Sequence, residues 1–263
     1  MAMKEPGPLN VVAVIQARMG SRRFPGKVLA DLRGRPVLEW VVDAVQKVEG
    51  VHEIVVATTI NGEDQAIEDW CEKNGVNCFR GEPLDVLKRY ADCAKEYRAS
   101  HVVRITADCP MLDSETVSTV LRRGLESKAD YFGMAGEFPD GFDCEGFSVE
   151  ALERANREAT LQSDREHVTP FLKHASNGLD VFYVQFRTDA ADVRLTVDQS
   201  EDLDFLESLL ELLSLRRGPV QLEKILAALS SAPQLTKINS HIVRNEGYLR
   251  SLENDGGPTR TAQ

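Results

Sequence analysis

Between residues 11 and 127, short runs of β-branched residues alternate with amphipathic stretches of helical spacing, and few folds accommodate that order. The run Val11-Val12-Ala13-Val14-Ile15 opens the series; such side chains fit a pleated, packed surface. A helical stripe follows at Val37, Leu38, Val41, Val42, Val45 and Val48. Residues 53–59 predict a second strand, and Asn61 can cap a helix that ends near Asn74-Gly75. Residues 76–80 read as a short strand, 83–97 as a helix and 101–107 as a strand. Asp113 or Ser114 then caps a helix reaching about Ser127. Strands separated by helices of 10–15 residues give an α/β fold: a mainly parallel sheet with helices on both faces.

In such sheets ligands bind beyond the carboxyl ends of the strands. That rule gathers the loop after the first strand, Thr58-Thr59, Arg80-Gly81 and Asp108 on one rim. The first loop, Ala17-Arg18-Met19-Gly20-Ser21-Arg22-Arg23-Phe24-Pro25-Gly26-Lys27, is the richest in chemistry. Glycine lets backbone N–H groups approach a ligand, and Arg and Lys give charge-assisted bonds to phosphate oxygens. A strand running into a cationic, glycine-bearing loop suits a polyphosphate. It is not a Walker loop: five residues separate Gly20 from Gly26-Lys27 where that motif has four, and Val28 replaces the metal-binding Ser or Thr.

The formal net charge of −11 over 263 residues argues against a general nucleic-acid binder. Against that background the stretch from Gln16 to Pro36 carries six cations (Arg18, Arg22, Arg23, Lys27, Arg33, Arg35) and one anion, Asp31. A local positive patch on an acidic protein fits a small anionic ligand. Five cysteines without a C-x-x-C pair read as reduced thiols, mostly core residues, of a cytoplasmic protein. No apolar run approaches membrane-spanning length, so no membrane association is expected.

The second half is less regular. A strand is expected over 130–136, a turn at Phe138-Pro139-Asp140-Gly141, and an extended segment over 141–148. Asp143 and Glu145 would share one face if that segment is a strand. Ser148 caps a helix to Arg157, and Asp164 to Pro170 begins a short helix. Residues 181–186 and 193–197 read as two strands, forming a hairpin. Asp198-Gln199-Ser200-Glu201 fits a helix cap before an amphipathic helix over 203–215. Helical stretches follow near 220–228 and 241–252; they offer a homodimer face, though a monomer would show the same pattern. The expected organisation is a flexible segment over 1–9, one domain over 10–252 and a disordered tail over 253–263.

The first loop, Arg104-Ile105-Thr106-Ala107-Asp108-Cys109-Pro110 and Leu195-Thr196-Val197-Asp198-Gln199-Ser200-Glu201-Asp202-Leu203 resemble the cytidylyltransferase family. The likeness is greatest to its branch named after spore coat polysaccharide biosynthesis protein F. Gly141-Phe142-Asp143-Cys144-Glu145, Arg165-Glu166-His167-Val168-Thr169-Pro170 and Asn245-Glu246-Gly247-Tyr248 are similar to that branch as well. The resemblance spans roughly residues 10–252. It implies a nucleotide-diphospho-sugar transferase fold, a three-layer α/β/α sandwich around a mostly parallel sheet. It also implies Mg²⁺-dependent attack of an acceptor oxygen on the α-phosphate of CTP, with release of pyrophosphate.

Carried over by position, Arg18 and Lys27 would hold the triphosphate, with Gly20 and Ser21 as backbone and hydroxyl donors and Ala17 beside them. Asp108 and Asp198 match the two family aspartates associated with magnesium. Of the adjacent Arg22 and Arg23, one is expected to reach the ligand, and Arg22 is assigned to the nucleotide site. Thr58 and Arg80 are expected to line the base pocket. Asp143, Glu145, Arg165 and His167 are expected to bind a small anionic acceptor, an acidic sugar or related metabolite, or in the case of His167 and Arg165 to assist proton removal. Two alternatives stand beside this reading. A glycosyltransferase shares the broad fold, but the only Asp-x-Asp string, Asp202-Leu203-Asp204, lies in an expected helix. A non-catalytic nucleotide sensor would not need the aspartate pair.

Overall fold

The computed structural model describes residues 8–188 and 190–255. Most of the segment expected to be flexible at the N-terminus, and of the tail expected to be disordered, lies outside the described residues. Residues 253–254, placed in that tail by the sequence, close the last helix instead.

A seven-stranded sheet organises the chain, in the order β5-β4-β1-β6-β8-β7-β9. Its strands are β1 (Val11–Gln16), β4 (Glu53–Thr59), β5 (Asn77–Gly81), β6 (His101–Thr106), β7 (Tyr131–Glu137), β8 (Glu145–Ser148) and β9 (Val181–Arg187). The minimal pair β2 (Asp31–Leu32) and β3 (Arg35–Pro36) forms a separate ribbon. β1 pairs in parallel with β4 and β6, and β4 with β5. β8 runs antiparallel between β6 and β7, and β7 pairs in parallel with β9.

Alternation along β1 builds the two faces. Val11, Ala13 and Ile15 point into one core, with Leu38, Val41, Val42 and Val45 of α1 (Val37–Val45), Ile67 and Cys71 of α2 (Gln65–Asn74), and Val117, Val120 and Leu121 of α4 (Ser114–Ser127). Val12 and Val14 point the other way, to Val86, Leu87 and Tyr90 of α3 (Val86–Glu96), Ala151 and Leu152 of α5 (Val149–Glu158), and Phe171 and Leu172 of α7 (Pro170–Lys173). A strand buried on both faces carries no polar alternation, which is why β1 reads as a continuous apolar run. The result is the expected three-layer α/β/α sandwich.

A third core joins Leu32, Trp40 and Phe142 to α8 (Ser200–Leu212) and α9 (Leu222–Ser231). α6 (Gln162–His167) packs against α3 and α7, and α10 (Glu246–Asn254) packs against α6. Among the described residues no helix is long and apolar enough to cross a membrane, and the five cysteines are free thiols.

The structure corrects the expected hairpin. β9 pairs in parallel with β7, and residues 193–197 form no strand beyond one isolated bridge between Asp140 and Arg194. Leu195 and Val197 are buried in the core with Phe142, and Arg194 and Thr196 are buried as well, so burial does not alternate along the segment. Their backbone bonds, however, go to loops: Leu195 N–H donates to Asp140 O (2.8 Å) and Val197 N–H to Asp108 O (2.8 Å). The segment is extended but stitched between the β6 and β7 ends rather than laddered.

Candidate functional site

The loop after β1 is shaped by its own backbone and by one buried acid. Met19 C=O accepts from Ser21 N–H (2.8 Å) and Gly26 N–H (2.9 Å), pinching the loop. Gly26 sits at φ 75°, a conformation that favours glycine, and this turn delivers Lys27 into the short 3-10 turn Lys27–Leu29. From outside, Asp64 accepts Met19 N–H at 2.6 Å and also the Thr59 hydroxyl. Asp64 is buried, so it clamps the loop to the end of β4.

Three sequence-predicted residues converge. Lys27 Nζ donates to Asp108 Oδ2 at 2.5 Å and to Asp198 Oδ1 at 2.8 Å. Asp108 follows β6, and its carbonyl holds the 193–197 segment through Val197 N–H and the Thr196 hydroxyl (3.2 Å). Those bonds carry Asp198 to Asp108 across 90 residues of chain. Burial opposes the charge on Lys27, but the two aspartates outweigh it and raise its pKa. Burial likewise works against the Asp198 carboxylate, yet Lys27, Arg194 and Arg23 bring it down to about 2.

Asp198 was also read as a helix cap, and the structure shifts that role by one residue. Gln199 is the N-cap of α8, and Asp202, not Glu201, is the reciprocating acid of the capping box. Asp202 is fully buried and accepts the backbone N–H of Asp198 (2.8 Å) and Gln199 (3.0 Å). It therefore cannot serve the Asp-x-Asp reading, and the Asp198 carboxylate is left to meet Lys27, Arg23 and Arg194. Arg194 completes the arrangement by contacting Asp202 (2.8 Å), Asp140 (2.6 Å) and Asp198 Oδ2 (2.7 Å). Asn239 donates to Asp202 (3.0 Å) and to Arg194 O (3.1 Å). Sequence reasoning did not single out Arg194, Asp140, Asn239 or Asp64. A cation four residues before Asp198 was the one visible sign.

Both paired arginines are exposed; Arg23 meets Asp198 at 3.0 Å, while Arg22 forms no ion pair among the described residues. Arg18 is exposed on the same loop, as is Gly20, where a Cβ would stand 2.6 Å from Glu63 Oε1. Ser21 is half-buried, with its hydroxyl accepting weakly from Phe24 N–H at 3.4 Å. Ala17 is buried and continues the β1–β4 pairing through Ala57 O (3.1 Å).

Several expected site residues carry structural duties. Thr58 is wholly buried in the sheet, so it does not line an open base pocket. Arg80 is engaged at the β4–α2 corner by Thr59 O (3.0 Å), Asn61 O (2.7 Å) and Glu68 (2.8 Å). Arg165 forms a forked pair with Asp85, the N-cap of α3, and bonds Asn156 O at 2.8 Å. Asp143 and Glu145 do not share a strand face, because β8 starts at Glu145 and Asp143 is exposed before it. Glu145 is buried against Arg104 (2.9 Å), Lys173 (2.5 Å), Thr169 (3.1 Å) and the Tyr131 hydroxyl (2.7 Å). Burial alone would raise its pKa, but Lys173 and Arg104 lower it to about 2. His167 pairs with the Ser251 hydroxyl at 3.0 Å and meets Tyr248 edge-on. Burial, the largest influence, lowers its pKa to about 4.

What this arrangement can hold follows from its donors. Among the described residues, the second Asp108 oxygen has only the Cys109 thiol, at 3.6 Å, as a hydrogen-bond partner. Among the described residues no group of three or more His, Cys, Asp or Glu could cage a metal by itself. Two convergent carboxylates without a cage suit Mg²⁺, which takes one or two of them beside phosphate and water. Exposed Arg18, Arg22 and Arg23, with Lys27 behind, suit a polyanion at the same place.

A cytidylyltransferase family model matches residues 12–230. Spore coat polysaccharide biosynthesis protein SpsF of Bacillus subtilis is 30% identical over 210 residues, 76% of this chain and 86% of that protein. A 3-deoxy-manno-octulosonate cytidylyltransferase of Anaeromyxobacter sp. (strain Fw109-5) is 35% identical over 116 residues, 43% of this chain and 46% of that enzyme. A solved cytidylyltransferase from Leptospira borgpetersenii superposes with a TM-score of 0.81 at 28% identity, covering 87% of this chain and 97% of that one.

Proposed function

This chain belongs to the cytidylyltransferase family, and from that premise we propose that it joins the CMP moiety of CTP to an oxygen of an acidic sugar or related anionic metabolite, releasing pyrophosphate. The observation that carries the reading is Lys27 set between Asp108 and Asp198 at the mouth of a cationic loop. The bond formed is acceptor oxygen to α-phosphorus; the bond broken is α-phosphorus to the bridging oxygen of pyrophosphate. No covalent enzyme intermediate is needed, because positioning and charge stabilisation can carry such transfers.

Each residue then has a task. Arg18 and Arg22 approach the triphosphate from the exposed side of the loop, and Arg23 from beside Asp198. Lys27 neutralises the aspartate pair and offers its ammonium to a phosphate oxygen. Opposite unit charges about 4 Å apart are worth roughly 4 kcal/mol at an effective dielectric near 20, so each cation matters to a ligand near −4 in charge. Asp108 and Asp198 would hold Mg²⁺, which when bound supplies further charge neutralisation on the phosphates. Arg194 and Asp202 keep Asp198 facing the site. An acidic-sugar acceptor is supported by the likeness to a 3-deoxy-manno-octulosonate cytidylyltransferase.

The test is pyrophosphate release, with each of the four nucleoside triphosphates offered against a panel of acidic sugars and phosphonates. The reading expects release with CTP alone, dependent on acceptor, abolished by chelation of Mg²⁺ and lost in Asp108→Asn. Release with another triphosphate, or binding of a nucleotide sugar in place of any triphosphate, would overturn it.

A further inference from the structure

The family match ends at residue 230, yet the chain beyond it reaches back to the site at three points. Asn239 bonds Asp202, Arg244 approaches Asp140 at 3.4 Å, and Glu246 takes Arg23 Nη1 at 2.7 Å. The last contact spans 223 residues of sequence and joins α10 to the phosphate-facing loop. Arg23 is forked: Nη1 goes to Glu246, while Nη2 goes to Asp198 Oδ1 at 3.0 Å, the same oxygen that Lys27 holds. Glu246 is fixed in turn, since its other oxygen accepts from Arg250 one turn along the helix. α10 is anchored on its far side by Ser251, which bonds both His167 and Glu166.

We propose that Glu246 is a positioning residue, which holds the Arg23 guanidinium over Asp198 so that it meets the incoming triphosphate already oriented. An arginine on a surface loop has many rotamers, and ordering it on binding costs affinity. Glu246 grips one end of the guanidinium and leaves the other end at the carboxylate beside which the phosphates gather. Arg22, adjacent on the same loop and exposed like Arg23, has no such carboxylate among the described residues. The inference rests on the nucleotide reading above, and it assigns to a helix beyond residue 230, where the family model ends, a direct part in preparing the phosphate site.

Calorimetric binding of CTP with Mg²⁺, alongside kcat and KM, tests this in Glu246→Ala, Arg23→Ala and the double variant. Glu246→Ala should weaken CTP binding and raise its KM about two- to five-fold, the scale of a partly exposed ion pair, with kcat little changed. Glu246→Gln, which keeps an acceptor oxygen, should recover most of that affinity. The double variant should match Arg23→Ala alone, because Glu246 acts only through Arg23. Multiplying effects of the two single variants, or wild-type affinity in Glu246→Ala, would overturn the proposal while leaving the cytidylyltransferase reading intact. A wild-type protein that bound no CTP would overturn both.

Discussion

Lys27 is a buried cation kept charged by two aspartates, and its removal would leave Asp108 without its cation, while Asp198 would keep only Arg23 and Arg194. Lys27→Met should therefore lower kcat by about 10²-fold or more, as loss of a charge-stabilising group in a desolvated site does. The fold should survive, since the methylene stem is retained; a circular dichroism spectrum checks that. His167 makes a different residue-scale prediction. Its folded pKa of about 4 lies below the ordinary 6.5, with burial as the chief cause, Arg104, Arg18 and Lys173 acting in the same direction and Glu166 against. As pH falls, the unfolded chain takes up that proton first. The stability from keeping His167 neutral is thus full above about pH 6.5 and declines down to about pH 4, by roughly 3 kcal/mol. Denaturant melts across that window should show the slope, and His167→Gln, which can still bond Ser251, should flatten it. Asp198, held near 2, stays ionised in the folded chain across that window and adds slope only below about pH 5, where the unfolded carboxylate begins to take up a proton.

At the scale of elements, α8 and β8 are held by single residues whose importance is out of proportion to their size. Asp202 caps the start of α8 and simultaneously answers Arg194 and Asn239. Asp202→Ala takes one of three carboxylates from the buried Arg194 guanidinium and uncaps α8, so a loss of about 2–4 kcal/mol is expected, read as a lowered denaturation midpoint. β8 is squeezed at Gly146, where a Cβ would stand 2.2 Å from the Phe132 ring. Gly146→Ala should cost about 1–3 kcal/mol by overpacking. Because Glu145 is the next residue, the same change should also disturb its bonds to Arg104 and Lys173. The capping box of α8 shows how a sequence signal can be right in kind and wrong in register. Both Asp198-x-x-Glu201 and Gln199-x-x-Asp202 satisfy the spacing; only burial of Asp202 against Arg194 selects the second.

Across the whole molecule, the site is assembled from chain segments that local pattern does not connect. Asn239 illustrates this: it lies 41 positions from Asp198, is buried, and ties the C-terminal arm to Asp202 and Arg194. Asn239→Ala is expected to cost about 1–3 kcal/mol as buried acceptors lose their partner, and to lower kcat as well. A thermal melt beside a pyrophosphate assay separates the two effects. Nothing near Asn239 in sequence signals that role. Strand and helix periodicity, by contrast, was enough to place β1, β4, β5 and β6 with the helices between them, because a strand buried on both faces and a one-sided helix write their surroundings into composition. It also gathered the first loop and Asp108 on one rim. The same reasoning failed for residues 193–197, for Thr58 and for Arg80 and Arg165, where side-chain chemistry was right for a ligand but a neighbouring element had already engaged it. The amino-acid sequence by itself thus determined the layered α/β architecture and the cationic loop, since these follow from period and charge, and its resemblance to a known family marked the aspartate pair. Only tertiary structure decided which polar groups remain open to a ligand: hydrogen-bond partners come from distant segments, and a guanidinium bound to a carboxylate reads in sequence like one that is free.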